Sequence, residues 1–240
     1  MGVIPKMFLN TKYRSKKTEI MDDLNMSGDL LIKSLDQLAL INKWLGGNSV
    51  TINGVTALLK NQNPKKEISI CDLGCGNGDM LIKVAKFGRK NGFKLRLIGI
   101  DANQTTIDYA KKLSEGFPEI SYEKQDVLSL DFQNRKFDIG LCTLFLHHFE
   151  DSVALDFLQK LQNQSTIGLV INDLHRHKLA YFLFWIVATI IGNPMIKTDG
   201  LISILKGFKR KELETYAQQL NFKSSLIWRW AFRYEWIIRK

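Results

Sequence analysis

Between Met26 and Gly47 apolar residues return every three or four positions, at Leu31, Leu35, Leu38, Ile41 and Leu45. That spacing predicts an amphipathic helix with Ser27 or Asp29 as its N-cap and Gly46-Gly47 as its stop. A second short helix is predicted over residues 53–60, and Pro64 with Lys65-Lys66 then makes a linker. From Ile68 the pattern becomes an alternation. Short apolar, β-branched runs at 68–73, 95–100, 120–125, 137–143 and 167–172 read as strands. Helical periods follow them at 80–91 (stopped by Gly92), at 105–114, and from Asp151 or Ser152 to about 164. Runs such as Ile98-Gly99-Ile100 and Leu169-Val170-Ile171 carry no polar face, as strands covered on both sides require. The expected fold class is therefore α/β, a doubly wound and mainly parallel sheet.

The last third departs from this alternation. Residues 180–191, A-Y-F-L-F-W-I-V-A-T-I-I, are apolar all round. Crossing a bilayer takes roughly 20 such residues, so this is not a transmembrane segment. It reads as a lid that walls an acceptor site with Tyr181, Phe182, Phe184 and Trp185, as a membrane-interface contact helped by Arg176, Lys178 and Lys197, or as a helix buried against the body or a dimer partner. Leu213, Tyr216, Ala217 and Leu220 then mark another amphipathic helix. Alternating apolar positions from Ser225 to Ile238 read as two strands, with no Asn-Gly or Asp-Gly to mark the turn between them.

A chain of 240 residues with 45% hydrophobic content has enough apolar material for one α/β domain with additions. The expected organisation is a basic arm and helical cap over 1–66 and a catalytic domain over 67–240, with 176–208 as the lid insertion. The net charge of +10 is unevenly spread. Residues 1–66 and 175–240 are basic, while 67–174 carry twelve Lys/Arg against fifteen acids. The basic flanks suit a solvated face, a membrane surface or anionic substrates as well as they suit nucleic acid. Cys71, Cys75 and Cys142 have no metal-ligand spacing and read as buried free thiols. No apolar run of signal-peptide length opens the sequence, so the expected location is cytoplasmic, with membrane-peripheral contact as a second reading.

The chemistry gathers at the strand ends. Ile68 to Asp79 reads I-S-I-C-D-L-G-C-G-N-G-D, a strand turning through Gly74, Gly76 and Gly78 into a helix. Such a turn brings bare backbone and helix-start N–H groups to a ligand. The dinucleotide fingerprint would place its third glycine at position 79, where this chain has Asp79. In an open parallel sheet the ligand sits beyond the carboxyl ends of the strands, and Asp72, Asp101 and Asp126 all lie there. Asp101 suits the two ribose hydroxyls of an adenosine ligand. Asp126 suits the adenine amino group, with Val127 packing on the ring. Asp72 would orient the loop and face a ligand ammonium, and Ala102 and Thr143 sit on the same edge.

The pattern Asp-x-Gly-x-Gly-x-Gly, followed by these acids, resembles the first motifs of the class I S-adenosylmethionine-dependent methyltransferases over roughly Ile68 to Asn172. The Leu146-His147-His148-Phe149 run after the fourth strand resembles the ubiquinone-biosynthesis-type, small-molecule branch rather than the nucleic-acid amine methylators. The helical cap and apolar insertion resemble O-methyltransferases of secondary metabolism. The resemblance implies a Rossmann-like sheet of seven strands with the last antiparallel, S-adenosylmethionine as cofactor, S-adenosylhomocysteine as product and no metal. Residues 234–238 would supply the antiparallel strand.

Methyl transfer asks chiefly for alignment of the reacting atoms, and a phenol acceptor gains from a general base. His147 and His175 are the leading candidates for that base, since strand-end geometry points them at the pocket. His148, Tyr181, Phe184 and Trp185 are the candidate substrate contacts. The expected function is methylation of a small aromatic or lipophilic acceptor, at oxygen first and carbon next, with a homodimer as one possible assembly. RNA or protein methylation is the alternative within enzymes. A catalytically idle, partner-binding subunit is the alternative outside them.

Overall fold

The 3-10 turn at Ile20–Asp22 and helices α1 (Asp29–Trp44) and α2 (Gly47–Leu59) precede the sheet in a computed structural model that describes residues 9–240. The first eight residues of the expected basic arm lie outside the described residues. The alternation then follows as β1 (Ile68–Leu73), α3 (Asp79–Asn91), β2 (Leu95–Asp101), α4 (Gln104–Leu113), β3 (Ile120–Lys124), α5 (Leu130–Gln133) and β4 (Phe137–Thr143). A 3-10 turn at Leu146–His148 leads to α6 (Asp151–Gln164) and β5 (Ser165–Leu174). After these come α7 (Lys178–Ile191), α8 (Pro194–Lys206), α9 (Arg210–Gln219), β6 (Lys223–Arg229) and β7 (Arg233–Arg239).

The described residues form one seven-stranded sheet in the order β3-β2-β1-β4-β5-β7-β6. Strands β1 to β5 pair in parallel, and β7 is antiparallel to both β5 and β6. The strand order reverses between β1 and β4, which opens a crevice at their carboxyl ends. Two apolar layers cover the faces. One packs β1, β2, β4 and β5 against α6 and α9 through Phe157, Leu161, Leu213 and Trp236. The other packs the same sheet against α2, α3 and α4 through Val55, Leu81, Val84 and Ile107. Cys71, Cys75 and Cys142 are buried free thiols within these layers.

Three details differ from the sequence expectation. Gly46 takes the left-handed conformation (φ 72°) that turns the chain, so Gly47 begins α2 instead of closing α1. Helix α8 is absent from the sequence expectation because Gly200 interrupts its pattern. Its start is nevertheless well marked, since the Asn193 side chain accepts the N–H groups of Met195 and Ile196 and Pro194 occupies the first turn. The Phe184 ring fills the space that a Cβ at Gly200 would need. The β6–β7 turn uses Ala231 (φ 58°) and Phe232 (φ 56°), left-handed positions that carry side chains. The Phe232 carbonyl accepts from the His175 N–H at 2.7 Å, and its ring stacks on His177, which holds this costly backbone.

Helix α7 buries only Ala180 and Ala188 among its fourteen residues, and Ile190 is 81% exposed. Among the described residues no helix is long and apolar enough to cross a membrane. The segment from Thr11 to Asp22 straps across the carboxyl edge. Arg176, fully buried and paired with Glu212, donates to the carbonyls of Thr11 and Lys12. Arg14 donates to the carbonyls of Lys206, His147 and Phe149 and packs over Phe208.

Gly54 in α2 lies against Val170 so closely that a Cβ there would overlap the valine methyls. Gly54→Val should therefore cost about 1–3 kcal/mol, the usual penalty of overpacking a filled core. Urea unfolding of the two chains measures it.

Candidate functional site

A cavity of about 530 Å³ opens at the carboxyl ends of the strands. Its polar lining includes Gly74, Gly76, Asp101, Ala102 and Asp126, with Val127 beside them. Its apolar lining comes from Leu31, Leu35, Leu38 and Ile41 of α1 and from Leu183, Phe184 and Val187 of α7, and the hairpin adds Trp230 to Arg233. His147, His148 and His175 line it as well.

All three loop glycines have positive φ (67°, 53° and 75°), which an L side chain adopts only under strain. What they make room for differs. A Cβ at Gly74 would overlap the Phe145 ring, and one at Gly78 would overlap the Tyr122 hydroxyl. At Gly76 the nearest atom is Leu35 Cδ2 at 3.9 Å, so that backbone faces open cavity. Asp101 is held by the N–H groups of Gly76 (3.2 Å) and Asn103 (3.0 Å). Burial raises its carboxyl above the usual range, partly offset by those N–H groups. Asp126 uses Oδ1 on the Leu128 N–H and is otherwise exposed at the rim. Asp72 lies beneath the loop and does not line the cavity. Burial, together with Asp79 and Asp101, pushes its carboxyl well up, and Oδ1 has no partner among the described residues. A cationic group above the loop would relieve that cost.

His147 is 2% exposed. Its Nδ1 is 2.7 Å from Asp173 Oδ1, and its backbone N–H donates to Asp173 Oδ2 at 3.1 Å. Burial alone would raise the Asp173 carboxyl, but the His147 imidazole and the N–H groups of Leu174 and His147 hold it below the usual range. An ionised Asp173 requires Nδ1 to carry a proton, which leaves Nε2 as the available lone pair. Nε2 has no hydrogen-bond partner among the described residues. His175 accepts from Trp228 Nε1 (3.2 Å), and burial, reinforced by Lys209, His177 and Arg176, pulls it down to about 4. It is a neutral and weak base at physiological pH.

His148 belongs to a charged cluster. Its Nδ1 is 2.8 Å from Asp22 Oδ1, and the Lys206 ammonium is 3.2 Å from Glu19 Oε1 and 3.1 Å from Asp22 Oδ2. Burial would lower His148, but the Asp22 hydrogen bond and the charges of Glu19 and Asp22 outweigh it and raise it. Burial would raise Asp22, but His148, the Glu19 backbone and Lys206 carry it far below the usual range. Glu19, His147 and His148 each offer a ligand atom within 4.8 Å of the others, a spacing that suits a metal. The cation beside those carboxylates is the Lys206 ammonium.

Four other residues singled out from the sequence stand away from the cavity lining. Gly78 serves the packing of Tyr122. Thr143 Oγ1 meets Thr51 Oγ1 at 3.0 Å and ties α2 to β4. Tyr181 and Trp185 lie off the α7 face that Ala180, Leu183, Phe184 and Val187 present to the cavity. Trp185 stacks on Phe182 and carries Lys197 over its ring instead. The helical period contained this split, since the lining positions recur at i, i+3, i+4 and i+7, but ring size drew attention to the wrong face. Glu19, Asp22, Asp173, Lys206 and Arg233 join the site from distant positions. Only Asp173, at a strand end, carried a local signal.

Residues 64–179, just under half of the chain, match the family model described as a methyltransferase domain. Carboxy-S-adenosyl-L-methionine synthase of a Nitratiruptor species is 31% identical over 152 residues, 63% of this chain and 56% of that protein. The chain spans from 32% to 60% of the length of the curated relatives it matches. Among solved structures, the plantazolicin methyltransferase in complex with S-adenosylhomocysteine superposes with a TM-score of 0.65 at 14% identity, covering 87% of this chain and 90% of that one. Magnesium protoporphyrin IX methyltransferase from Synechocystis PCC 6803, with S-adenosylmethionine bound, gives 0.56 at 14% identity, covering 92% and 89%.

The His148–Asp22 pair yields a pH test. A raised histidine stabilises the fold fully below its unfolded value of about 6.5, and that stabilisation is lost as pH climbs through the folded value. A lowered aspartate contributes above about 3.9 and loses its contribution only in stronger acid. The pair is therefore at full strength between about pH 4 and 6.5. The unfolding free energy lost in His148→Gln should be larger at pH 6 than at pH 9, as read from urea titrations at both.

Proposed function

We propose that this chain, which has the fold of the class I S-adenosylmethionine-dependent methyltransferases, moves the activated methyl group of that cofactor to a small lipophilic acceptor. A phenolic or enolic hydroxyl is the first acceptor class and an acidic carbon the second. The observation that carries this reading is one continuous cavity. The glycine loop, Asp101 and Asp126 share it with the apolar side chains of α1 and α7, and His147, whose Nε2 has no hydrogen-bond partner, is among its lining residues.

The residues present fit the cofactor. The open backbone at Gly76 would admit its methionine part, and Asp101, at the carboxyl end of β2, would accept from the ribose hydroxyls. Asp126 and Val127 suit the adenine, and the orphaned Oδ1 of Asp72 gains from an ammonium near the loop. The cofactor supplies a sulfonium whose methyl needs no further activation. The chain's own work is to hold the acceptor in line, to exclude water with α1 and α7, and to take one proton. His147 Nε2 receives that proton from the acceptor hydroxyl, and Asp173 stabilises the resulting imidazolium through Nδ1. Phe184 and Leu183, with the α1 leucines, provide the apolar walls that favour a lipophilic acceptor.

Two measurements test the reading. S-adenosylmethionine at 100 times its Kd should stabilise the chain by about 2.7 kcal/mol, read as a thermal shift, and Asp101→Ala should abolish that shift at the same concentration. No shift in the wild type would sink the cofactor assignment. Once an acceptor is in hand, His147→Gln should lower kcat by about 10²–10⁴-fold while leaving S-adenosylhomocysteine affinity unchanged. Asp173→Asn should shift the acidic limb of the pH–rate profile, because an amide oxygen stabilises the imidazolium less. An unaltered profile would remove its positioning role.

A further inference from the structure

Arg233 borders the cavity, is 3% exposed, and makes no hydrogen bond to any described residue through its guanidinium; Nε and Nη1 are sealed and unpartnered. Both acids near it are committed elsewhere. Asp173 spends Oδ1 on His147 and Leu174 and Oδ2 on the His147 N–H. Glu235, two residues along the same face of β7, is held by Arg229 through two hydrogen bonds of 3.0 Å. The neighbouring Asn42 Oδ1 is also unpartnered. Burial pulls Arg233 down to about 10, which leaves it a cation at neutral pH. Asp173 is the one charge that favours it, without a hydrogen bond to it, so the buried guanidinium remains costly to the fold and would gain from an anion at its accessible side.

Its place along the sheet edge points to the ligand. Asp126 ends at β3, Asp101 at β2 and the glycine loop at β1, while His147 lies between the ends of β4 and β5. Arg233 begins β7, beyond all of these. Strands are spaced about 4.8 Å apart, so the three steps from β1 to β7 put it on the order of 14 Å from the glycine strand. Nη2 is the guanidinium nitrogen that is not sealed, and its N–H can meet a carboxylate oxygen in a charge-assisted bond; a single cation balances a monoanion better than a phosphate dianion. We propose that Arg233 docks a carboxylate of the acceptor, so that the substrate class is a lipophilic carboxylic acid bearing its methyl-accepting group elsewhere on the skeleton. The proposal rests on the methyltransferase reading above. An acid seated on Arg233 lays its apolar body across the chamber and turns its other functional group back towards His147.

The test measures binding of decanoate, decanol and S-adenosylhomocysteine to the full chain and to Arg233→Met and Arg233→Lys by calorimetry. With S-adenosylhomocysteine saturating, decanoate should bind the wild type about tenfold or more tightly than Arg233→Met, the loss expected for one charge-assisted hydrogen bond. Arg233→Lys should fall between them, decanol should bind all three alike, and S-adenosylhomocysteine affinity should stay within twofold. Without ligand, Arg233→Met should melt at or above the wild type, because a buried guanidinium with two unpartnered nitrogens gives way to an apolar chain of similar volume. Equal decanoate affinity in wild type and Arg233→Met, or none in the wild type, overturns the proposal. So does a lower melting temperature for Arg233→Met, which would make the residue a structural cation. A tenfold loss of S-adenosylhomocysteine affinity, with unchanged affinity for its decarboxylated analogue, also overturns it by giving Arg233 to the cofactor's carboxylate. Failure of S-adenosylhomocysteine to bind the wild type is a separate result, and it overturns the methyltransferase reading itself.

Discussion

The buried bond between Asp173 and His147 Nδ1, 2.7 Å long, decides how the carboxyl edge of this sheet is built. It joins the end of β5 to the turn that follows β4, two strands that are neighbours in the sheet. For the imidazole to reach Asp173, the chain must leave β4 abruptly. Leu144 does this in a left-handed conformation (φ 54°), with its N–H on the Asn172 carbonyl at 2.8 Å. Phe145 then lies over the glycine loop, in the room that Gly74 leaves. Arg14 locks the arrangement from outside by donating to the His147 and Phe149 carbonyls. Packing and the buried carboxylate together fix the orientation and tautomer of the imidazole.

Charge around the cavity is met in different ways. Asp101 and Asp126 answer to backbone N–H groups. Lys206 and His148 face Glu19 and Asp22, while two guanidinium nitrogens of Arg233 are left without partners among the described residues. The net charge of +10 does not describe the cavity lining, because pairs such as Arg176–Glu212 cancel within themselves and add nothing to that total. The Thr11–Asp22 strap and the α7–α8 pair roof the chamber, and the strap's anchors come from residues more than 130 positions away in the chain.

The sheet, its strand ends and the glycine turn were legible in the sequence because each is a local property. Period-two and period-3.6 patterns, β-branched runs and glycines at alternate positions report on a residue's own neighbours. That is why Ile68–Leu73, Asp101 and Asp126 were found at the edge where they stand, and why β7 was anticipated from the alternation around Trp236. Reading by residue type alone went astray where packing chose the face. Tyr181 and Trp185 are the larger rings, yet Leu183 and Phe184 meet the cavity. Gly78 reads as a ligand-approach glycine, yet Tyr122 occupies its open side.

What only the tertiary structure decided is the convergence of groups that no window of sequence contains. Glu19, His147 and Arg233 are far apart in the chain, and a periodicity cannot say that they border one space. Nor can composition reveal which buried cation lacks a partner, because that depends on Asp173 and Glu235 having been taken by His147 and Arg229. The sequence by itself determined a parallel sheet with a glycine turn at its carboxyl edge, since backbone geometry there is set by adjacent residues. The fold in three dimensions decided which histidine nitrogen and which buried guanidinium are left without partners, since both follow from the competition of distant side chains for the same few hydrogen bonds.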